Sequence, residues 1–282
     1  SLLAAFTLGS NGEGGRTFLA DISQAEGVNI RNALIGGVVF NLANILLTAA
    51  IAGAGMAVAF PVGIGLALII GVIINYILLS KGNPVLLFTG VLLVTAAIII
   101  NAIAYGKHAG GSGKKGAGKW IVVSIIAGIL MSTFYPFVAS GMDLENFVSP
   151  AAGKMTPYTA FVVFAAGILL SNIVFNTVLM RKPFEGIPVR YADYFKGRGV
   201  HWVGILGGSI WGTGNLFNLI AAGKAGPAIS YGLGQGATLV AALWGVFIWK
   251  EFRGSAAPVK KMITAMFLLF VTGLSLVIAA GL

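Results

Sequence analysis

The sequence predicts an all-α polytopic membrane protein built as an inverted-topology repeat of five-helix halves. Three observations predict it. Of the 282 residues, 57% are hydrophobic and only 9% charged, with a mean hydropathy of +0.94. A water-soluble domain carries about 25% charged residues, so this chain lacks the polar surface to face water. Apolar runs longer than the roughly 18–20 residues that cross a bilayer recur along the chain. The third observation is an internal similarity at an offset of 171 residues.

Eight full spans are predicted, over 31–53, 56–80, 84–106, 120–141, 157–180, 199–223, 226–249 and 259–281. Glycine and proline inside them, such as Pro61 and Pro136, are common in membrane helices. The opening SLLAAFTLGS is apolar but too short to cross, and it lacks the basic segment of a signal peptide. It reads as the end of a span that begins earlier.

The offset pairs GGVVFNLANILLTAAIAGAGMAVAFPVGIGLAL (36–68) with GGSIWGTGNLFNLIAAGKAGPAISYGLGQGATL (207–239) without a gap. It matches Gly36/Gly207, Asn44/Asn215, Ala54-Gly55/Ala225-Gly226 and Leu68/Leu239, with Phe40/Trp211 and Phe60/Tyr231 conservative. Five spans lie between equivalent points. An odd number makes the second copy enter the membrane the other way up, the arrangement of many secondary transporters. The expected parent has ten helices, here eight full spans plus a truncated N-terminal stub. The expected division is 1–106 as a first half-repeat, 107–119 as a linker, and 120–282 as the second half-repeat.

Basic residues set the expected orientation. Thirteen of the 18 Lys and Arg fall in loops 107–119, 181–198 and 250–261, which are therefore expected to be cytoplasmic, with the C-terminus outside. The expected location is an integral position in the bacterial inner (plasma) membrane. Spread over three membrane-flanking loops, the net charge of +10 is no nucleic-acid footprint. The loop GGSGKKGAGK (110–119) has the G-x-x-x-x-G-K spacing of a phosphate-cradling loop. Trp120 stands where Mg²⁺ needs a hydroxyl, and no strand precedes it, so no nucleotide is expected. The loop reads instead as a flexible, basic seam between the halves. With no cysteine, a disulfide framework and thiolate metal sites are excluded. No cofactor and no metal are expected, and no catalytic array points to an enzyme.

No Asp, Glu, Lys or Arg lies deep in a predicted span. Asp143, Glu145, Glu185, Asp193 and Glu251 read as loop or interface residues. The membrane holds amides and aromatics at helical spacing instead: Asn41 and Asn44, Asn172 and Asn176, Asn215 and Asn218. Each pair projects neutral donors and acceptors from one helix face, suited to a polar neutral solute. Tyr135, Trp211, Tyr231 and Gln235 complete the candidate substrate-binding set. The alternative role for each amide is hydrogen bonding between helices, and for each aromatic, packing or anchoring at the membrane surface.

The stretch GPAISYGLGQGATLVAALWGVFIWKEFRG (226–254), the GNLFNLIAAGKAG hairpin before it and the FYPF stretch in 120–141 resemble one family. It is the glucose/ribose-porter and plant ureide-permease branch of the drug/metabolite transporter superfamily. The resemblance implies ten helices, alternating access and solutes of sugar or heterocyclic-nitrogen type. Expected partners are therefore a small-molecule solute and membrane lipid, with no nucleic acid. Export of amphipathic or drug-like compounds, or a non-transporting membrane role, are the alternatives.

Overall fold

The computed structural model describes residues 1–11, 16–108, 117–146, 149–184, 186–196, 198–234, 236–250 and 252–282. Among them the chain is helical apart from a β-bridge between Met142 and Met155. In order come α1 (Leu2–Phe6), α2 (Leu8–Asn11), α3 (Phe18–Gln24), α4 (Gly27–Ala54), α5 (Met56–Leu78), α6 (Pro84–His108) and α7 (Ala117–Ser140). Then follow α8 (Pro157–Arg181), α9 (Tyr191–Lys196), α10 (Arg198–Ala225), α11 (Pro227–Gly234), α12 (Gly236–Leu243), a π-helical turn (Trp244–Ile248) and α13 (Ala257–Ala279).

Helices therefore stand at all eight predicted spans, with two differences. Six helical stretches among the described residues are long and apolar enough to cross a bilayer: α4, α6, α7, α8, α13 and the run Pro227–Ile248 that joins α11, α12 and the π-helical turn; α5 contributes a shorter apolar stretch, Val62–Leu78. The glycines, hydroxyls and basic ends of α10 keep it from joining them. The predicted span 226–249 comprises α11, α12 and the π-helical turn in place of one uniform helix. Most of the GGSGKKGAGK loop, and Glu185, Gln235 and Glu251, lie outside the described residues.

The described residues form two units, each discontinuous in sequence. The first takes Ser1–Leu42 and Pro136–Lys224. Its packing is set by two glycines. A Cβ added to Gly37 of α4 would run into the carbonyl oxygen of Phe164 in α8. One on Gly167 would meet the Leu34 carbonyl oxygen and lie 3.2 Å from Gly37 Cα. Small residues let two membrane helices touch backbone to backbone, where dispersion and polar contacts replace the missing hydrophobic drive. One turn on, buried Asn41 donates Nδ2 to Ser171 Oγ at 3.0 Å, and Ser171 donates to the Gly167 carbonyl at 2.7 Å. Phe40 stacks on Trp211 of α10 with ring centroids 4.7 Å apart, and Phe164 lies 5.7 Å from Phe40.

The second unit takes Ala43–Tyr135 and Ala225–Leu282. Here α13 packs along α6, and α5 packs against both α6 and α11. Gly90 and Gly273 repeat the glycine crossing: a Cβ on either would sit 2.6 or 2.8 Å from the other's carbonyl oxygen. Trp120 of α7 fills a small core with Ala50, Ala54 and Ala59. Gly55 and Gly226 both have positive φ, at +87° and +85°, and each separates a 28-residue helix from the next. Glycine enters that region without the Cβ penalty other residues meet.

Candidate functional site

Two of the polar side chains expected to meet a solute, Asn172 and Asn176, line one cleft within the first unit. The second half of α8 presents Asn172, Asn176 and Met180 at four-residue spacing, so all three share a face. After α8 the chain folds back, with the Val189 N–H donating to the Met180 carbonyl at 2.9 Å, and α9 then lies over that face. The hydroxyls of Tyr191 and Thr177 are hydrogen-bonded to each other, which ties α9 to α8. Tyr191 and Phe195 stack at 6.3 Å, and Tyr194 meets His201 edge-on at 4.7 Å. Asp193 pairs with Arg190 and Lys196, each at 3.4 Å and exposed, so these pairs add little.

Between α8 and α9 opens a cleft of about 590 Å³ lined by both asparagines, Met180, Ile187, Tyr191 and Tyr194 among others. No charged side chain lines it among the described residues. Asn176 donates Nδ2 to Asn172 Oδ1 at 2.9 Å. An amide offers two N–H groups and a carbonyl oxygen. The pairing therefore leaves the Asn172 amino group, the Asn176 carbonyl oxygen and one Asn176 N–H available. Donors and an acceptor side by side, beneath phenol rings, suit a neutral planar solute with its own amide or urea groups. They offer nothing to compensate an ion.

Elsewhere the expected set is dispersed. Asn41 lies buried beside this region, bonded to Ser171 as a tie between helices. Trp211 is partly exposed and stacked on Phe40. Asn215, half-buried, donates within its own helix to the Trp211 carbonyl at 3.5 Å, and half-buried Asn218 lies almost a turn further along α10. In the second unit Asn44 is exposed. Tyr135 and Tyr231 are buried, 5.6 Å apart edge to face, and the Tyr231 hydroxyl donates to the Ala67 carbonyl at 3.2 Å. Gln235 lies outside the described residues.

Two further features escape a reading of the spans. The aromatics of α9 sit in a segment whose composition reads as loop; YADYF, three rings in five residues, is the signal that marks them. Asp21 is fully buried in a polar cluster at the start of α8. Its carboxylate accepts from Arg16 Nε at 2.9 Å, the Thr156 N–H at 2.8 Å and the Thr156 hydroxyl at 3.0 Å. Arg16 and Gln24 both donate to the Lys154 carbonyl, at 2.8 and 2.9 Å. Beside it, Asp143 accepts backbone N–H groups from Ala151, Glu145 and Asn146. The Ala151 N–H does most to hold its carboxyl below the ordinary carboxylate value; desolvation opposes it, and the Glu145 and Asn146 N–H groups and Lys154 add smaller lowering effects.

The ureide permease family model matches residues 114–280. The chain is 23% identical to Ureide permease 1 of Arabidopsis thaliana, an alignment that covers 100% of this chain and 86% of that protein. Ureide permease 2 and Ureide permease 4 of the same plant are similar at 22% and 23% identity, with the same coverage. No solved structure gives a significant match.

Proposed function

The chain belongs to the ureide permease family, and from that premise we propose that it carries ureides or similarly built nitrogen metabolites by alternating access of two inverted halves. It is an integral membrane transporter and not an enzyme. The observation that carries the solute assignment is the uncharged cleft with the paired amides Asn172 and Asn176. The acylated urea group of a ureide is uncharged and planar, with N–H groups and carbonyls that complement two amides. Convergent amides favour uptake of such a solute over export of amphipathic compounds. Tyr191 and Tyr194 provide ring faces for it. Asn41, Asn44, Asn215, Asn218, Tyr135, Trp211, Tyr231 and Gln235 stay in the proposal as further candidate solute contacts.

The inverted-repeat reading has support in helix boundaries. Shifting Gly27–Ala54 by 171 residues gives Arg198–Ala225, the bounds of α10. The same shift carries His108, the end of α6, onto Ala279, the end of α13. Gly55 maps onto Gly226, and both have positive φ, at +87° and +85°. Phe40 maps onto Trp211, the ring it stacks on. A residue meets its own mate where an approximate two-fold axis passes. The halves 1–106 and 120–282, joined by 107–119, the eight spans of a ten-helix parent and membership of the drug/metabolite transporter superfamily belong to this proposal. So does a cytoplasmic position for the basic loops, with the C-terminus outside. The similar permeases are plant proteins and lend a bacterial inner membrane no support.

Uptake of radiolabelled ureides into proteoliposomes, beside glucose, ribose and charged nitrogen solutes, tests the assignment. Asn172→Ala and Asn176→Ala should each raise KM about tenfold for ureides, the loss of one or two neutral hydrogen bonds. Wild-type KM in both variants, or no ureide flux, would remove the basis for it.

A further inference from the structure

The molecule has a second cleft, of about 570 Å³, within the second unit between the end of the π-helical turn and the first turns of α13. Its lining divides by chemistry. Lys250, Arg253 and Lys260 are exposed, and none pairs with a carboxylate among the described residues. Phe247, Ile263 and Phe267 are apolar, with the two phenylalanine rings stacked at 5.9 Å. Cations beside a hydrocarbon wall, at the end of an apolar helix long enough to span the bilayer, match an amphiphile with an anionic head.

The turn that holds two of these cations is built rather than loose. Lys250 has φ +53°, and among the described residues it alone takes positive φ without being glycine. That region is disfavoured for a side chain with a Cβ and persists only where surroundings enforce it. The surroundings are visible. The Arg253 N–H donates to the Lys250 carbonyl at 2.9 Å and the Ser255 N–H to the Phe252 carbonyl at 3.1 Å. Phe252 is buried 5.3 Å from the His108 ring, and Ser255 Oγ lies 2.7 Å from His108 Nδ1. Anchored to α6 in this way, the strained turn brings Lys250 and Arg253 to the cleft that Lys260 enters from α13.

We infer that this cleft binds one anionic phospholipid, its phosphate among Lys250, Arg253 and Lys260 and its upper acyl chain against Phe247, Ile263 and Phe267. A zwitterionic lipid has the same phosphate, but its own cation offsets the attraction. Free phosphate would leave the aromatic wall unused. Basic residues near a membrane surface each favour anionic lipid by about fivefold. The inference is independent of which solute the protein carries.

Native mass spectrometry of the full chain released from equimolar phosphatidylglycerol and phosphatidylcholine vesicles tests it. One retained phosphatidylglycerol is expected. Arg253→Gln and Lys260→Gln should each reduce its preference about fivefold. Lys250→Asn should do the same while its backbone stays left-handed, since Asn tolerates that region. Arg190→Gln, in another basic loop, should leave the preference unchanged, and unaltered melting temperatures would show that all four variants are folded. Equal retention of the two lipids, or wild-type preference in the three cleft variants, would overturn the inference. Displacement of the lipid by millimolar inorganic phosphate would overturn it too, by identifying a free-anion site.

Discussion

Replacing Asp21 with alanine removes the carboxylate that joins the segment before α4 to the start of α8. The carboxylate is fully buried, and three donors depend on it: Arg16 Nε, the Thr156 N–H and the Thr156 hydroxyl. Breaking a buried ion pair from one side costs about 3–5 kcal/mol, because the remaining charge stays without compensation. The Arg16 side chain is 30% exposed, so water recovers part of that loss. The Thr156 N–H recovers nothing, and a buried unsatisfied donor costs about 1–3 kcal/mol. The two together give a destabilisation of about 3 kcal/mol, or roughly 5 °C in melting temperature for a chain of this size. Asp21→Asn keeps an acceptor for Thr156 and should lose less than half as much. The assay is thermal unfolding of detergent-purified protein by intrinsic fluorescence, paired with trypsin cleavage after Lys154. Loss of Asp21 should expose that bond by loosening Arg16, which holds the Lys154 carbonyl. An Asp21→Ala melting temperature within about a degree of wild type, with Lys154 still protected, would refute this reasoning.

Two other outcomes follow from the geometry. Gly37→Leu should destabilise by about 3 kcal/mol or prevent folding, since its Cβ collides with backbone rather than a movable side chain, whereas Gly27→Ala meets open space and should be neutral; melting temperatures compare them. The Asp143 carboxyl is depressed in the folded protein, so its contribution is fully present above the ordinary value of about 4 and is lost as pH falls through the depressed one. Protection factors for hydrogen exchange at the amides of Glu145, Asn146 and Ala151, taken against the intrinsic rate at each pH, should fall on acidification below about pH 4, and in Asp143→Asn at neutral pH.

The helices were legible because their cause is local. Long apolar runs must satisfy their own backbone in a membrane, and that alone fixes α4 within a few residues of the predicted 31–53. Gly55 and Gly226 were legible as a matched pair before their backbone angles were known. The Asn172–Asn176 bond follows from spacing on one helix. What stayed hidden depends on segments distant in sequence. Asp21 reads as an ordinary acid ahead of a span, and only Thr156, 135 positions away, makes it a buried anchor. Asn41 and Asn172 looked alike as intramembrane amides. Gly167 brings Ser171 to Asn41 as a partner, whereas α9 leaves a cleft over Asn172. The left-handed Lys250 has no compositional signature, since its turn is held by contacts of Phe252 and Ser255 with His108, far away in sequence.

The central claim is carriage by alternating access, and entrance counterflow tests it most directly. Proteoliposomes preloaded with excess unlabelled ureide and diluted into labelled ureide should accumulate label transiently above its external concentration. Glucose preloaded instead should produce no such overshoot. Label that rises only to equilibrium regardless of preloading, or that never enters, would contradict the account.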